Sequence, residues 1–98
     1  MNEIRAALSA AGCITFRINV GKGYTPDGRY FDTGVPVGFS DIFGFRCSDG
    51  KAFFIEVKTK TGRISPKQKV FLDAMHTSGA IAGVCRSVED AKILIKEI

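Results

Sequence analysis

The stretch FFIEVKTKTG at residues 53–62 reads as a β-strand in which two opposite charges interrupt an apolar run. Successive side chains of a strand point to opposite faces, so Phe53 and Ile55 share one face and are predicted to enter the core. The other face then carries the carboxylate of Glu56 and the ammonium of Lys58. Because burying a charge costs several kcal/mol unless it is paired or coordinated, the pattern raises the question of what the two charged side chains contact.

A β-hairpin is predicted to lead into this stretch. The segments DIFGFRC and KAFFIEVK are joined by SDG at residues 48–50, and Asp-Gly between two apolar runs is a strong hairpin signal. A turn centred on this Asp-Gly pair places position 41 opposite position 58. Asp41, Glu56 and Lys58 are therefore predicted to meet at the open end of the hairpin.

Three groups at that end suit metal-assisted hydrolysis of a phosphodiester. The carboxylates of Asp41 and Glu56 would repel each other unless a cation lay between them. Carboxylate oxygens, together with the carbonyl of Val57, are ligands that hard divalent ions such as Mg²⁺ prefer. Lys58 beside such an ion would orient or deprotonate a water, or stabilise charge on a phosphate.

Each of these residues also has a simpler explanation. Asp41 alone reads as a turn residue at the start of a strand. Glu56 and Lys58 alone read as a charged pair on a solvated face of the sheet. The catalytic interpretation depends on the hairpin register, which brings the three side chains together.

The rest of the chain predicts an α/β fold with the order α-β-β-β-α-β-α. A first helix runs from a cap at Asn2 to Gly12, and CITFRINV follows as a strand of alternating polarity. A second helix begins with Ser-Pro at residues 65–66 and ends at Gly79. A short buried strand, AIAGVCR, and a last helix capped by Ser87 complete the order. The second helix has a predicted apolar stripe of Val70, Phe71, Ala74 and Met75.

The segment at residues 21–38 holds five glycines and two prolines and has no clean periodicity. A loop of this length in a small domain is usually functional or disordered. Its cationic and aromatic side chains would either grip DNA or form a contact between two copies of the chain. These side chains are Lys22, Tyr24, Arg29 and Tyr30.

Composition limits the classes of protein that are open to this chain. With 98 residues, 45% of them apolar, it is predicted to form one domain over residues 1–98 whose thin core would gain from homodimer formation. A net charge of +4 weakly favours polyanionic partners. The well-separated Cys13, Cys47 and Cys85 are predicted to be reduced core residues of a cytoplasmic protein. No apolar run is long enough for a membrane span, and the start lacks the features of a signal peptide.

Two groups of motifs resemble a known nuclease superfamily. SD at residues 40–41 and IEVK at residues 55–58 resemble the PD-(D/E)-x-K nucleases. GRISPKQKVFLDAM at residues 62–75 and GAIAGVCRSVEDA at residues 79–91 resemble the VRR-NUC branch in particular. The resemblance extends over nearly the whole chain. It implies a restriction-endonuclease-like core, with a mixed central sheet flanked by helices, and DNA cleavage that depends on Mg²⁺ or Mn²⁺.

The same resemblance implies a substrate, an assembly and a place of action. Small stand-alone members of the branch, many of them viral, act as homodimers on branched DNA such as Holliday junctions. By that likeness the chain is expected in the cytoplasm, which for a viral member is that of the host.

The resemblance also assigns roles to individual residues. It implies that Asp41 and Glu56 bind metal, that Lys58 serves the attacking water, and that Gln68 belongs to the site. Glu3 matches an acidic position sometimes seen in the metal site of the family. Where the family usually has a proline before the first acid, this chain has Ser, and the bend is expected to form without it.

Two of these assignments have open alternatives. Gln68 lies three residues after Ser65, which is the spacing of a helix-capping box, and capping alone would account for it. Basic side chains near the predicted site would either contact the DNA backbone or form a solvated face. They are Lys60, Arg63, Lys67 and Lys69. A non-catalytic nucleic-acid-binding or assembly module that keeps the nuclease fold is the alternative function.

Overall fold

The computed structural model describes residues 2–18, 22–32 and 34–96. It contains three helices and six strands in these ranges: α1 (Asn2–Ala10), β1 (Cys13–Arg17), β2 (Lys22–Tyr24), β3 (Tyr30–Asp32), β4 (Ile42–Arg46), β5 (Ala52–Val57), α2 (Pro66–Thr77), β6 (Ile81–Cys85) and α3 (Val88–Ile95). The predicted order is confirmed for seven of these elements. The difference is a short hairpin, β2–β3, which forms inside the glycine-rich segment that showed no periodicity.

A four-stranded mixed sheet with the order β1-β4-β5-β6 organises the fold. Strand β4 is antiparallel to both of its neighbours, β1 and β5, whereas β6 runs parallel to β5. The parallel pair requires a crossover, and α2 supplies it. Strand β5 is therefore an inner strand whose carboxyl end leads directly into the segment before α2.

One face of the sheet, packed against α1 and α3, carries the main hydrophobic core. Ile42, Phe53 and Ile55 are fully buried there, as the alternation of the β5 stretch predicted. The helices contribute apolar side chains at helical spacing, and the buried cluster also includes Ile4, Leu8, Cys13, Ile81, Cys85, Ala91 and Ile95. This face holds no charged side chain among the buried residues that the structure describes.

The opposite face is covered by α2 over β5 and β6, and four phenylalanines pack together there. Their ring centroids lie 4.6 to 5.9 Å apart, and the cluster consists of Phe39, Phe43, Phe54 and Phe71. The predicted stripe of α2 is partly wrong, because Leu72 is buried whereas Val70 is 69% exposed. The helix is rotated by about one position, which puts Gln68, Phe71 and Leu72 on the side facing the sheet.

Strand β1 lies at the edge of the sheet, beyond the reach of α2. Its apolar side chains Ile14 and Phe16 are 43% and 48% exposed, although the alternating sequence marks them as one apolar face. Phe16 stacks on Phe43 of the next strand at a centroid distance of 6.1 Å. The predicted continuation of the strand through Asn19 and Val20 lies outside the described residues.

The predicted β4–β5 hairpin is present, but its register differs by two residues. Ile42 pairs with Ile55, so position 41 lies across from position 56 and not from position 58. The turn contains four residues, since the Gly50 N–H donates to the Arg46 carbonyl at 2.7 Å. Gly50 has φ +73°, a left-handed conformation that closes this wider turn. A two-residue shift leaves every side chain on its predicted face.

Smaller predictions are corrected or confirmed at the ends of elements. Asn2 already belongs to α1, whereas Ser65 and Ser87 cap α2 and α3 as predicted. Cys47 is exposed in the hairpin turn, so the prediction that it is a core residue is wrong, while Cys13 and Cys85 are buried. In the ranges that the structure describes, no helix is both long and apolar enough to cross a membrane.

Replacing Gly44 by alanine is expected to lower the free energy of unfolding by about 2 kcal/mol or more. A Cβ there would lie 2.2 Å from the Ile14 carbonyl oxygen and 2.7 Å from the Phe53 ring. Gly83→Ala is the matched control, because its Cβ would meet only Leu94 methyl groups at 3.2 Å. Urea unfolding of both variants checks the prediction, and an equal loss in the two would contradict it.

Candidate active site

Glu56 lies on β5 with its side chain under the start of α2, and it is only 2% exposed. Its Oε1 accepts a hydrogen bond from Gln68 Nε2 at 3.0 Å and lies 3.9 Å from Lys58 Nζ. Its Oε2 is buried and has no hydrogen-bond partner in the described part of the chain. A buried carboxylate oxygen without a donor is costly unless it takes up a proton or a cation.

Gln68 serves the helix and the site at the same time. The Ser65 hydroxyl accepts from the Gln68 N–H at 3.1 Å, and Gln68 Oε1 accepts from the Ser65 N–H at 2.8 Å. This is the capping box that the spacing predicted. Its Nε2 donates to Glu56, so one side chain caps the helix and contacts the candidate site through different atoms.

Asp41 lies immediately before β4, next to Glu56 across the hairpin. Its Oδ2 accepts a hydrogen bond from the Val57 N–H at 2.9 Å, which ties it to the end of β5. The preceding Ser40 is fully buried, and its hydroxyl donates to the Ile42 carbonyl at 3.0 Å. This hydrogen bond spans Asp41 and holds the bend there, which takes the place of the proline that the family pattern usually has.

The approach of this segment to α2 requires glycine. Gly38 has φ +96°, and a Cβ at this position would lie 2.7 Å from the Lys67 carbonyl oxygen. The segment before Asp41 therefore packs directly on the first turn of the helix that carries Gln68. Asp41, Glu56 and Gln68 are thus positioned by three elements that converge at one place.

Lys58 follows the last residue of β5, at the rim of this buried group. Its side chain is 23% exposed, in contrast to that of Glu56. Its backbone N–H donates to the Cys85 carbonyl at 3.1 Å, which extends the pairing of β5 with β6 by one residue. The ammonium therefore lies between the buried carboxylate and solvent. It does so even though the hairpin register places Asp41 opposite Glu56 and not, as predicted, opposite Lys58.

The surroundings of Glu56, with Asp41 among them, make it a weaker acid. Burial raises the pKa of Glu56 from its ordinary value of 4.5 to about 7, and the neighbouring Asp41 carboxyl adds to this effect. The nearby Lys58 acts in the opposite direction. Two acids that share a site cannot both ionise easily without a cation, so Glu56 keeps its proton on about half of the molecules near neutral pH.

The sequence analysis did not identify Arg86, which fixes the segment after Lys58. One of its guanidinium nitrogens, Nη1, donates to the Thr59 carbonyl at 2.6 Å and to the Gly62 carbonyl. This segment links Lys58 to Gln68, so Arg86 helps to hold these two residues in position relative to each other. Only the parallel pairing of β5 with β6 brings position 86 next to position 58, and no local motif signals it.

Glu3 lies in a neighbouring cleft of about 410 Å³ that is lined by α1, the end of β5 and the start of α3. Lys58 also lines this cleft. Within residues 2–18, 22–32 and 34–96, no three His, Cys, Asp or Glu side chains are gathered as a metal-binding group. The structure thus brings Asp41 and Glu56 together and leaves Glu3 outside that pair.

The predicted DNA-contacting residues occupy exposed positions around the start of α2. Lys60, Arg63 and Lys67 are exposed on the segment that leads from the site into this helix. Lys69 is exposed as well and forms an ion pair with Asp73 at 3.1 Å. Arg29 lies apart, on the β2–β3 hairpin, and the side chain of Lys22 is outside the described residues.

The mixed sheet and the acidic pair with its lysine define a nuclease-type α/β domain. Residues 28–89, more than half of the chain, match the family model of the VRR-NUC domain. The chain therefore belongs to the VRR-NUC family, as the motifs predicted. A solved structure described as a VRR_NUC domain is similar, with a TM-score of 0.67 and 20% identity over 98% of this chain and 89% of that chain. A comparison with curated proteins gives no match.

The raised pKa of Glu56 predicts a pH-dependent stability in metal-free protein. The folded state holds this proton more tightly than the unfolded chain, whose carboxyl has the ordinary value of 4.5. The free energy of unfolding should therefore fall by about 3 kcal/mol as the pH rises from about 4.5 through 7. Urea unfolding in EDTA across this range measures the effect.

Glu56→Gln is the matched variant, because its amide keeps the shape of the side chain without an ionisable proton. The stability of this variant should change much less over the same pH range. Equal pH profiles for the two proteins would contradict the shared, buried proton.

Proposed function

We propose that the chain is a metal-dependent DNA endonuclease that hydrolyses phosphodiester bonds and is selective for branched DNA such as Holliday junctions. The observation that carries the proposal is the buried Glu56 carboxylate, whose Oε2 has no partner in the described part of the chain. Asp41 and Lys58 lie beside it. An inner strand gains no stability from such a charge, which favours a chemical role.

The residues present fit a hard divalent cation, Mg²⁺ or Mn²⁺. Asp41 and Glu56 would hold it through carboxylate oxygens. Val57 directly follows Glu56 in the chain, and its carbonyl would add a further oxygen ligand. Two carboxylates with few further protein ligands suit Mg²⁺, which usually retains several waters. When bound, the ion would neutralise the charge of the two acids and polarise a water or a phosphoryl oxygen.

Three neighbouring groups of the protein orient the acids and supply positive charge at the site. Gln68 fixes Glu56 through Oε1 and leaves Oε2 for another partner. The Val57 N–H orients Asp41 through Oδ2. Lys58, at the rim, orients the attacking water and stabilises the negative charge that develops on the phosphate.

The exposed cations near α2 would bind the DNA backbone. Lys60, Arg63 and Lys67 lie next to the site, and the N-terminus of α2 adds a partial positive charge. Contacts to phosphates position DNA without reading its sequence. Selectivity then depends on the shape of the DNA, which is consistent with a branched substrate.

The proposal includes a homodimer. The support for it is the incompletely covered face of β1, where Ile14 and Phe16 are 43% and 48% exposed. A second copy packed there would bury apolar surface that α2 does not reach. Two-fold symmetry would also present two sites to opposite strands of a junction.

A non-catalytic nucleic-acid-binding or assembly module is the second candidate. The exposed lysines and arginines favour it equally well. The acidic pair does not, because acids that face a polyanion weaken binding unless a cation neutralises them. Cleavage assays separate the two functions.

Labelled four-way junctions should be nicked in Mg²⁺ or Mn²⁺ and bound without cleavage in Ca²⁺. Asp41→Ala and Glu56→Ala should abolish cleavage while binding is retained, and Lys58→Ala should slow it by roughly 10²-fold. Glu89→Ala and Lys92→Ala, exposed changes on α3, serve as controls. Gel assays of cleavage and binding give both readouts. Normal cutting by both acid variants would refute the site assignment, and binding without cutting in every metal would favour the module.

The parent chain should have twice the mass of one 10.6 kDa chain in gel filtration with light scattering. Phe16→Lys should give the mass of a single chain, because a charge on that face opposes burial. Ile93→Lys is the control, since Ile93 is 65% exposed on α3. A monomeric parent, or a dimer that both variants retain, would contradict this interface.

A further inference from the structure

The β2–β3 hairpin carries the only two tyrosines of the chain, and they lie side by side. Tyr24 and Tyr30 form a register pair next to the turn, so their side chains share one face of the hairpin. Their ring centroids are 5.5 Å apart and the ring planes meet at 70°. Both rings are exposed, by 73% and 58%. The pair therefore presents aromatic surface that is largely unburied in the described part of the fold.

The turn that joins the two strands holds this pair in place. The Thr25 N–H donates to the Arg29 carbonyl at 2.7 Å, and the Arg29 N–H donates to the Thr25 hydroxyl at 3.0 Å. The Asp27 carboxylate accepts from the Thr25 hydroxyl and from Arg29 Nε. Gly28, with φ +88°, allows the tight return of the chain. A ligand thus meets aromatic rings on a turn that is already ordered.

The exposure of these two rings contrasts with the packing of the phenylalanine rings under α2. The phenylalanine cluster beneath α2 is packed ring against ring between the sheet and the helix. The hairpin, in contrast, forms a two-stranded sheet of its own, separate from the four-stranded sheet. Tyrosine keeps its hydroxyl hydrated while its ring faces remain available, which suits intermittent contact with a polar ligand that has flat apolar faces.

Nucleic-acid bases are ligands of this kind. Base–aromatic stacking stabilises binding without sequence preference, because every base has a π-face. The Arg29 guanidinium, 83% exposed beside Tyr30, forms an ion pair with Asp27 at 3.0 Å, and its exposed edge can also meet a neighbouring phosphate. Bases within a duplex are covered on both faces by their neighbours, so only unpaired bases can offer a face to the hairpin.

We propose that Tyr24 and Tyr30 form a stacking platform for unpaired bases of the nucleic-acid substrate. The proposal rests on the proposed nuclease function and narrows its substrate to DNA with unpaired or unstacked bases, such as strands at a branch point. Arg29 acts with the platform by contacting the phosphate next to a stacked base.

Tyrosine fluorescence tests this directly, because the chain has no tryptophan and its emission comes from these two residues alone. Oligothymidylate is titrated into the protein in EDTA, so that no cleavage occurs. A duplex of the same length, at equal phosphate concentration, is the comparison. We expect much stronger quenching by the single strand, after correction for DNA absorbance. Equal quenching by the two, or none, would overturn the platform.

Substitution separates the rings from the hydroxyls. Tyr24→Ala and Tyr30→Ala should each weaken binding of labelled oligothymidylate by about tenfold, which corresponds to about 1.4 kcal/mol. Tyr24→Phe and Tyr30→Phe, which keep the ring, should bind nearly as well as the parent. Ile93→Ala is the control for loss of an exposed apolar side chain elsewhere. Alanine variants that fold and bind the single strand like the parent would overturn the proposal.

Three further outcomes distinguish this proposal from the dimer and nuclease proposals. If the alanine variants change the mass of the protein in solution, the tyrosines belong to a contact between copies and the platform is wrong. If tyrosine-dependent binding holds while no metal supports cleavage, the nuclease proposal fails and the platform stands. If the alanine variants cut branched DNA normally and bind the single strand like the parent, the platform proposal fails and the nuclease proposal stands.

Discussion

The burial of Glu56 is the constraint on which the rest of the site depends. A carboxylate that is 2% exposed on an inner strand needs partners, and two other elements supply them. Gln68 reaches it from the first turn of α2, and Asp41 faces it from the start of β4. The positions of the helix start, the strand start and the end of β5 are thereby set against one another. The other carboxylate oxygen of Glu56, Oε2, is buried without a partner among the described residues, and it is the atom at which we propose that a cation binds.

The two faces of the sheet have different tasks. The face under α1 and α3 is closed and apolar, and it supplies the burial that a chain of 98 residues needs. The face under α2 is covered only in part. Beneath the helix it joins the phenylalanine cluster to the acidic pair, and beyond the helix it leaves Ile14 and Phe16 exposed. The candidate site and the proposed dimer contact therefore both lie on the face that the chain does not fully cover by itself.

The candidate site was predictable in part because alternation in a strand tolerates errors of register. The two-residue shift between the predicted and observed hairpin changes the partner of Asp41 from Lys58 to Glu56, yet it keeps all three on their faces. Gln68 was ambiguous from its spacing, since one atom of its amide caps α2 and the other contacts the acid. Arg86 could not be predicted, because only the parallel pairing of β5 and β6 brings it near the site.

The sequence by itself determined the order of seven of the nine elements, the core face of β5, the caps of α2 and α3, and the motif residues of the VRR-NUC family. These features follow from local rules: alternation along a strand, periodicity along a helix, and side chains that cap their own backbone. Only the tertiary structure decided that Glu56 is buried, which side of α2 faces the sheet, and that β1 lies beyond the helix. Those outcomes depend on contacts between segments far apart in the chain, where the packing of one element sets the exposure of another.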